Sequence, residues 1–230
     1  GAGSLTLSGA NSYSAGTNIN AGTLSLGASN VLADTGAVNV SGGTLAISGY
    51  SDTVGAVILS NGSITGTTGV LTGAGYSVTN ETGSTSISAK LAGAVSFTKS
   101  GAGTLTLSGT NTYTGGTTIN AGAVAVTSTG NLGDASGNLT MTGTSTLDLQ
   151  MALSVGNLVM ASGNSITNTT GTSSLAVSGT STLANSITSS GTQTYTGAVT
   201  LLANTTLTTT DAAVTFADAV TGSGKSLTVS

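Results

Sequence analysis

The amino-acid sequence predicts an all-β fold, a parallel β-helix (β-solenoid) in which the chain winds around one long core with about 20 residues per rung. Three observations lead to this prediction. Short stretches alternate apolar with small or polar residues, a block of 22 residues recurs 100 positions later, and charged residues make up only 4% of the 230 residues.

The alternating stretches have the pattern of half-buried strands. Each consists of an apolar residue, a middle residue that is usually small or polar, and a second apolar residue, with Gly, Asn or Ser between one stretch and the next. Successive side chains of a strand point to opposite faces, so the apolar pair points inward and the middle residue outward. The ten stretches are residues 5–7, 24–26, 38–40, 45–47, 57–59, 105–107, 124–126, 147–149, 175–177 and 227–229.

The composition disfavours helices and suits stacked strands. Gly, Thr, Ser, Asn and Val are poor helix formers, whereas Thr, Val and Ile favour strands. Proline is absent, which suits a chain whose backbone N–H groups donate to neighbouring strands. Glycine is expected at the tight corners, including the pair Asn61 and Gly62.

The long repeat distinguishes a solenoid from an antiparallel sandwich. Residues 1–22 recur as residues 101–122, and most differences exchange Ser for Thr or Ala for Gly. A similar pattern continues beyond the block, where we match Asp34 with Asp134. A solenoid stacks equivalent rungs about 4.8 Å apart, so neutral side chains can lie above their own kind, whereas stacked like charges would repel. The scarcity of charge therefore has a structural reason.

The repeats also define the expected organisation of the chain. We expect one continuous solenoid over residues 1–230, in which 1–100 and 101–188 are related repeats and 189–230 are variant repeats. About eleven rungs would span on the order of 50 Å. The sequence begins with Gly1 and without a signal peptide, so we expect it to be a segment of a longer chain.

Charge and hydropathy exclude two classes of partner. One Glu, three Lys and no Arg cannot form the basic surface that phosphate neutralisation requires, so no nucleic acid is expected as a partner. No apolar run approaches the roughly 20 residues needed to cross a bilayer, so no membrane insertion of this segment is expected. The chain has no Cys, so no disulfide framework reports its compartment.

No catalytic, cofactor-binding or metal-binding residue is predicted, and we expect neither a cofactor nor an enzyme. Without His or Cys the chain lacks the base or nucleophile of the common triads and the usual zinc ligands. Paired carboxylates could in principle serve a hydrolase. We interpret most of the acidic residues instead as turn residues or solvated strand positions. The candidates are Asp34, Asp52, Asp134, Asp148, Asp211 and Asp218.

Two other motifs have plausible structural explanations. Residues 219–226 fit a relaxed phosphate-loop pattern, but residues 226–230 alternate like a strand where such a loop needs a helix. A glycine-rich turn between rungs is the better interpretation. Tyr13, Tyr113 and Tyr195 occupy similar settings, and we expect them to pack against neighbouring rungs rather than to stack on carbohydrate.

Residues 97–122 resemble the passenger-associated repeat of bacterial autotransporters, and residues 189–230 are similar to repeats of haemagglutinin-type exoproteins. The resemblance implies a right-handed β-helix exported through the inner membrane and then through an outer-membrane β-barrel translocator outside this segment. It also implies an extracellular location at the bacterial cell surface. In autotransporters such repeats serve folding and secretion of the passenger rather than chemistry.

Three functions follow from this reasoning, in decreasing order of support. The first is a structural or adhesive rod of a type V secretion passenger, which contacts other cell-surface or matrix components or self-associates into fibres or biofilm matrix. The second is ice binding through Thr-x-Thr runs such as residues 104–106 and 112–114, although we expect Thr on several faces. The third is a β-helical enzyme acting on polysaccharides, for which Arg and clustered Asp are missing.

Overall fold

A computed structural model describes residues 1–127 and 129–230, and these residues form 24 β-strands and no helix. The strands are β1 (Ser4–Leu7), β2 (Thr17–Ile19), β3 (Thr23–Leu26), β4 (Val38–Val40), β5 (Thr44–Ser48), β6 (Asp52–Leu59), β7 (Ser63–Gly66), β8 (Val70–Val78), β9 (Ser84–Ile87), β10 (Lys90–Ala92), β11 (Phe97–Lys99), β12 (Thr104–Leu107), β13 (Thr117–Val126), β14 (Leu139–Leu149), β15 (Ala152–Val155), β16 (Leu158–Met160), β17 (Ser165–Thr167), β18 (Ser174–Val177), β19 (Ser181–Thr188), β20 (Gln193–Tyr195), β21 (Val199–Thr208), β22 (Val214–Phe216), β23 (Val220–Thr221) and β24 (Leu227–Val229).

Paired strands of the described residues run parallel, and each pairs with strands about one rung away in sequence. The offset between partners ranges from 18 residues, for Ser181 and Val199, to 23 residues, for Ser63 and Ser86. The chain therefore makes about 11 turns of roughly 20 residues. The predicted all-β parallel solenoid is confirmed.

Three stacks of strands form the sides of the solenoid. Face 1 contains β1, β3, β5, β7, β9, β12, β17 and β24, with the second halves of β13, β14, β19 and β21. Face 2 contains β2, β4, β11, β16 and β23, with the second halves of β6 and β8 and the first halves of the same four long strands. Face 3 contains the first halves of β6 and β8, β10, and the separate sheet of β15, β18, β20 and β22.

The core consists of ladders of apolar side chains that run along the axis. In one ladder of face 1, Leu45, Ile64, Ile87, Leu107 and Val126 lie on successive rungs, and each is almost completely buried. Burying one such side chain contributes about 1.5–3 kcal/mol. Since each rung buries the apolar residues of the next, the stability of the solenoid comes from stacking.

All ten predicted alternating stretches lie in strands, and their apolar residues point inward as expected. The clear departures are at the two terminal rungs. Leu5 is 60% exposed in β1 and Val229 is 53% exposed in β24, because each terminal rung has a neighbour on one side only. The alternation thus predicts whether a side chain points inward or outward, while the extent of its burial depends on the neighbouring rung.

Polar side chains replace strand pairing where face 3 is formed by turns. Asn11 donates from Nδ2 to the carbonyl of Val31 (2.9 Å), and Asp52 accepts the Val31 N–H at Oδ2 (2.8 Å). In the second repeat Asn111 accepts the N–H of Leu91 (3.0 Å). These side chains supply the backbone partners that a continuous strand would have provided.

The predicted corner at Asn61 and Gly62 is confirmed. Gly62 has a φ of 96°, a left-handed conformation that a residue with a side chain rarely adopts. A Cβ atom on Gly62 would lie 2.1 Å from the carbonyl oxygen of Gly43 on the preceding rung. The corner therefore requires glycine for both its conformation and the close approach of the rungs.

Candidate binding surface

Face 1 presents two columns of outward side chains, and nearly all of them carry a hydroxyl group. They arise because the inward Leu, Ile and Val residues of each strand alternate with Ser and Thr. The exceptions are Ala46, Ala123, Ala125 and Asp148. We call these side chains the hydroxyl columns. Their pairs, in rung order, are Ser4/Thr6, Thr23/Ser25, Thr44/Ala46, Ser63/Thr65, Ser84/Ser86, Thr104/Thr106, Ala123/Ala125, Thr146/Asp148, Ser165/Thr167, Ser186/Thr188, Thr206/Thr208 and Thr228/Ser230.

The hydroxyl columns hold their hydrogen-bonding groups at regular spacings. Neighbouring rungs of a sheet lie about 4.8 Å apart, and outward residues of one strand lie about 6.6 Å apart. Hydroxyls of successive rungs contact each other, as between Thr44 Oγ1 and Ser63 Oγ at 3.0 Å and between Thr146 Oγ1 and Ser165 Oγ at 3.4 Å. Since these side chains pack side by side, they lose less conformational entropy on binding than free surface residues would.

The columns step sideways once, between β7 and β9. Ser63 pairs with Ser86 rather than with Ser84, which shifts the register by two residues and leaves the outward direction unchanged. Thr85 lies at an inward position of β9, between the outward residues Ser84 and Ser86, and its hydroxyl donates to the carbonyl of Thr104 at 3.3 Å. The array is therefore continuous but not straight over its whole length.

Face 2 carries a single outward column, which is less uniform. Asn39 donates to Asn18 at 2.9 Å, whereas Ile58 and Val159 are exposed apolar members. The column consists of Asn18, Asn39, Ile58, Ser77, Thr98, Thr118, Thr140, Val159, Thr182, Thr200 and Thr221.

The two Thr-x-Thr runs singled out in the sequence lie on different sides. Residues 104–106 belong to face 1, while Thr112 and Thr114 are exposed on a turn of face 3. Thr is therefore spread over several faces, as expected.

The six Asp residues do not gather into one site. Asp34, Asp134, Asp211 and Asp218 lie in turns, and Asp148 points outward on face 1. Within residues 1–127 and 129–230, no group of three or more His, Cys, Asp or Glu could hold a metal ion. Asp52 alone among the six is buried, and it is the exception to the interpretation of most of them as turn residues or solvated strand positions.

The proposed match of Asp34 with Asp134 is wrong by one position. The same turn closes in both repeats, with a hydrogen bond from Gly36 N to the Ala33 carbonyl and from Gly137 N to the Asp134 carbonyl. Asp134 therefore occupies the place of Ala33. Its carboxylate accepts the N–H and the hydroxyl of Ser136, and these bonds hold the pKa of Asp134 below its usual value.

Asp148 is the one acidic member of the hydroxyl columns. Partial burial acts to raise its pKa, but hydrogen bonds from Thr169 (2.6 Å) and Gln150 (2.7 Å) outweigh this effect and hold the pKa of Asp148 below its usual value. Asp148 is therefore a charged, hydrogen-bonded interruption in an otherwise neutral surface.

Asp52 is buried on face 3 beneath the turn that contains Asp34. Its Oδ2 accepts the N–H groups of Val31 (2.8 Å) and Leu32 (3.1 Å), while its buried Oδ1 has no hydrogen-bond partner. Burial raises the pKa of Asp52, although the backbone N–H groups oppose the change, and the charge of Asp34 raises it further. The folded chain therefore holds the Asp52 proton more tightly than the unfolded chain does.

This raised pKa predicts how Asp52→Asn changes stability with pH. The contribution of Asp52 is fully present below its unfolded pKa of about 3.8 and is lost as pH rises through the raised folded pKa. Asn keeps an oxygen for the N–H groups of Val31 and Leu32 and removes the charge. We expect Asp52→Asn to be more stable than the native chain at pH 7, with the difference shrinking at pH 3, as measured by urea denaturation.

Asp148→Asn is the matched control with the opposite sign. The pKa of Asp148 is lowered, so its contribution is present above the unfolded pKa and is lost as pH falls. We expect Asp148→Asn to be less stable than the native chain at pH 7. If both substitutions changed the free energy of unfolding in the same direction at pH 7, the result would contradict opposite pKa shifts of the two carboxyl groups.

Most of the aromatic residues pack inside the solenoid, whereas Tyr13 and Tyr50 are exposed. Tyr113 stacks on Phe97 (ring centroids 5.7 Å apart) and contacts Tyr76 (6.0 Å), and Tyr195 stacks on Phe216 (5.3 Å). Tyr113 and Tyr195 are fully buried, whereas Tyr13 is 37% exposed. Packing between rungs thus accounts for Tyr113 and Tyr195, as expected, and leaves neither ring free to contact carbohydrate.

Of the phosphate-loop-like residues 219–226, Val220 and Thr221 form β23, and residues 222–226 form the turn between β23 and β24. The N–H of Lys225 donates to the carbonyl of Gly222 at 3.2 Å, and a strand rather than a helix follows. A phosphate site of that type needs a helix N-terminus. The predicted glycine-rich turn is present, but it joins two strands of one rung rather than two rungs, because β23 and β24 both pair with β21.

Lys99 is the polar residue that sequence reasoning missed most clearly. It is completely buried in face 2, between Val78 and Ile119 of the neighbouring rungs. Its Nζ donates to the carbonyls of Ser100 (2.9 Å) and Gly101 (2.7 Å), and burial lowers the pKa of Lys99. The alternation rule predicts that Lys99 points inward like Phe97, two residues earlier. We did not apply the rule to residues 97–99 because Lys99 is charged.

Comparisons with known proteins agree with this architecture. A family model described as Passenger-associated-transport-repeat matches residues 1–26 and 97–126, which include the two long blocks of the internal repeat. The chain carries autotransporter passenger repeats. The resemblance seen in the sequence is therefore confirmed for these blocks, while the similarity of residues 189–230 to haemagglutinin-type exoproteins stays a prediction.

A curated relative supports the same family. The chain is 39% identical over 106 residues to the Adhesin BmaC autotransporter of Brucella suis biovar 1 (strain 1330), a match that covers 42% of this chain and 3% of that adhesin. No solved structure matches the chain significantly. Autotransporter passengers are displayed outside the cell, so the predicted extracellular location at the bacterial surface is confirmed. In the part of the chain that the structure describes, no helix has the length and apolar character needed to cross a bilayer.

Proposed function

We propose that this passenger segment is a non-catalytic adhesive rod that contacts other cell surfaces or matrix components through its hydroxyl columns. The observation that carries the proposal is the two-column array on face 1, which is neutral except at Asp148. Such a surface offers many weak hydrogen bonds in fixed positions and no strong electrostatic preference. Similarity to an autotransporter adhesin supports the same function.

Two further features support a structural role. The residues that chemistry would need are dispersed or buried, as the separated Asp residues and the enclosed Lys99 illustrate. The continuous pairing from β1 to β24 favours a single rod over residues 1–230, attached through a translocator outside this segment. Self-association into fibres or biofilm matrix is a variant of this function, because the nearly neutral face 1 of one copy would not strongly repel that of another.

Substitution of face 1 tests the adhesive function. In Thr104→Val, Thr106→Val and Thr167→Val combined, the size of each side chain is kept while the hydroxyl is removed. We expect beads coated with the variant to attach to cells and extracellular matrix several-fold less than beads coated with the native chain. Attachment and bead aggregation are measured together, so that adhesion to other surfaces is distinguished from self-association.

The matched control makes the same change on face 2. Thr98→Val, Thr118→Val and Thr140→Val remove three hydroxyls from a single column, and we expect attachment to remain near the native value. Similar urea midpoints for both triple variants show that the rod is intact. Unchanged attachment and aggregation by the face 1 variant would refute the proposed role of the hydroxyl columns.

The regular spacing on face 1 also favours ice binding as a second candidate. Two parallel columns of Thr and Ser can order water at fixed intervals, as in residues 104–106 and their neighbours. Ala46, Ala123, Ala125 and Asp148 interrupt this order, which ranks ice binding below adhesion. A thermal hysteresis assay of the native chain decides it: a freezing point depressed below the melting point supports ice binding, and no difference excludes it.

A further inference from the structure

The corner between β6 and β7 contains the only Asn-Gly pair in the 230 residues, Asn61 and Gly62. Glycine has no side chain, so the backbone nitrogen that follows the asparagine is open to approach by the asparagine side chain. Asn61 is also exposed, so water and hydroxide reach its amide group. The corner therefore combines an accessible side-chain amide with an unshielded backbone nitrogen.

The hydrogen bonds of the corner bring these two groups together. The N–H of Gly62 donates to Oδ1 of Asn61 at 2.9 Å, and the carbon bonded to that oxygen is Cγ. Among residues 1–127 and 129–230, no backbone carbonyl accepts the N–H of Gly62, whereas the next N–H, that of Ser63, donates to the carbonyl of Gly43 at 3.0 Å. The Gly62 nitrogen is therefore outside the hydrogen bonds that join the rungs and lies beside the Asn61 amide.

We infer that Asn61 deamidates spontaneously in the folded chain, with the backbone nitrogen of Gly62 as the nucleophile. Hydroxide removes the proton of that nitrogen as it attacks Cγ of Asn61. The new C–N bond closes a five-membered succinimide ring, the bond from Cγ to Nδ2 breaks, and Nδ2 takes a proton from water and leaves as ammonia. Holding the two groups in contact favours this step, since a pre-formed approach lowers its entropic cost.

The succinimide is then opened by one water molecule. Attack at either carbonyl carbon of the ring gives aspartate or isoaspartate at position 61, and both products carry a negative charge. The whole reaction uses only water and hydroxide and requires no enzyme, metal or oxidant. The modification therefore adds a charge next to Ser63, a member of the hydroxyl columns whose Oγ contacts Thr44 Oγ1 at 3.0 Å.

Isoaspartate would also disturb the backbone of the corner. Its main chain runs through the former side chain and is one atom longer than that of aspartate. The corner is fixed to the preceding rung on both sides, because the N–H of Asn61 donates to the carbonyl of Val40 (3.4 Å) and that of Ser63 to the carbonyl of Gly43 (3.0 Å). The extra atom must break one of these bonds, so isoaspartate weakens the pairing of β7 with β5.

Asn164 provides a control within the same chain. It too precedes a small residue, Ser165, but it is completely buried. Its Nδ2 donates to the carbonyls of Met141 (2.9 Å) and Ala161 (2.9 Å), and its Oδ1 accepts the N–H of Ser145 (2.8 Å). Burial and these bonds hold the amide in place, so the fold is expected to protect this site.

Peptide mass spectrometry of the native chain tests the inference. The chain is incubated in mildly alkaline buffer, folded in one sample and unfolded in guanidinium chloride in the other, and deamidation is followed at each Asn. We expect folding to slow deamidation of Asn61 less than ten-fold and that of Asn164 at least thirty-fold. The variant Asn61→Gln, whose longer side chain does not form the five-membered ring, is expected to remain unmodified at this position.

Three results would overturn the inference. Slowing of Asn61 by ten-fold or more on folding would show that the corner protects it. Equal rates at Asn164 in the two samples would show that the fold does not decide which site reacts. Aspartate without isoaspartate at position 61 would indicate direct hydrolysis of the amide rather than attack by the Gly62 nitrogen.

Hydrogen exchange tests the consequence for the corner. The isoaspartate form, isolated by chromatography, is compared with the variant Asn61→Asp, which has the same charge and a normal backbone. We expect exchange of the β7 amides to accelerate at least ten-fold in the isoaspartate form and less than three-fold in the variant, because local opening follows the lost backbone bonds. Equal exchange in both would overturn the predicted effect on pairing. None of these results depends on the adhesive function.

Discussion

Tyr113→Ala is expected to lower the free energy of unfolding by about 3–5 kcal/mol, the usual cost of removing a buried aromatic side chain. Tyr113 packs against both Phe97 and Tyr76, and its hydroxyl hydrogen-bonds to Thr117. The substitution would leave a cavity between rungs and remove that hydrogen bond. Urea denaturation of the native and variant chains measures the loss.

Tyr13→Ala is the matched control, since Tyr13 occupies the same place in the first repeat but is 37% exposed. We expect it to cost about 1 kcal/mol or less, because little buried contact is lost. Similar losses for the two substitutions would mean that contact between rungs contributes little at this position, contrary to the stacking account.

Gly122→Ala is expected to destabilise the chain by about 2–5 kcal/mol, since it combines a left-handed conformation with a steric clash. Gly122 has a φ of 73°, and a Cβ atom would lie 2.4 Å from the carbonyl oxygen of Gly103 and 2.5 Å from that of Gly101. Both oxygens belong to the rung below, so the methyl group would push neighbouring rungs apart. The urea midpoint measures the effect.

Gly75→Ala tests whether the cost of Gly122→Ala comes from these local restraints. Gly75 lies within β8, and a Cβ atom there would meet nothing within 4 Å. We expect Gly75→Ala to be neutral or slightly stabilising, because alanine restricts the unfolded chain without disturbing the fold. An equal loss at Gly75 and Gly122 would indicate a general intolerance of side chains at glycine positions.

The strands could be predicted from the sequence because one rule, the alternation of apolar and polar residues, decides them locally. Residues 105–107 and 147–149 follow this rule, and their outward neighbours complete the hydroxyl columns. The resemblance of residues 97–122 to a known repeat implied the same architecture, and the family match confirms the resemblance.

The remaining features depend on partners that no local pattern reveals. Backbone groups hydrogen-bond to the buried Oδ2 of Asp52 and to the buried Nζ of Lys99, and a sequence does not show these contacts before the rungs are aligned. The register shift between Ser63 and Ser86 likewise becomes visible only when the rungs are aligned. The alignment of rungs was also unknown when Asp34 was matched with Asp134, which explains the one-residue error.

The neutral surface connects the fold with the proposed function. A column of identical side chains one rung apart is stable only if they do not repel, so the parallel stack favours Ser and Thr over charged residues. These groups are also donors and acceptors for weak contacts with other surfaces. The composition that permits stacking is therefore the composition that would make the rod adhesive.

The parallel stacking of rungs is tested most directly by distances between spin labels on face 1. The chain has no Cys, so pairs of single cysteines can be introduced at Thr104 with Ser186, Thr206 or Thr228, which lie four, five and six rungs apart. The account predicts that the mean distance measured by pulsed electron resonance increases by about 5 Å for each additional rung. Distances that fail to increase in this order would contradict the solenoid.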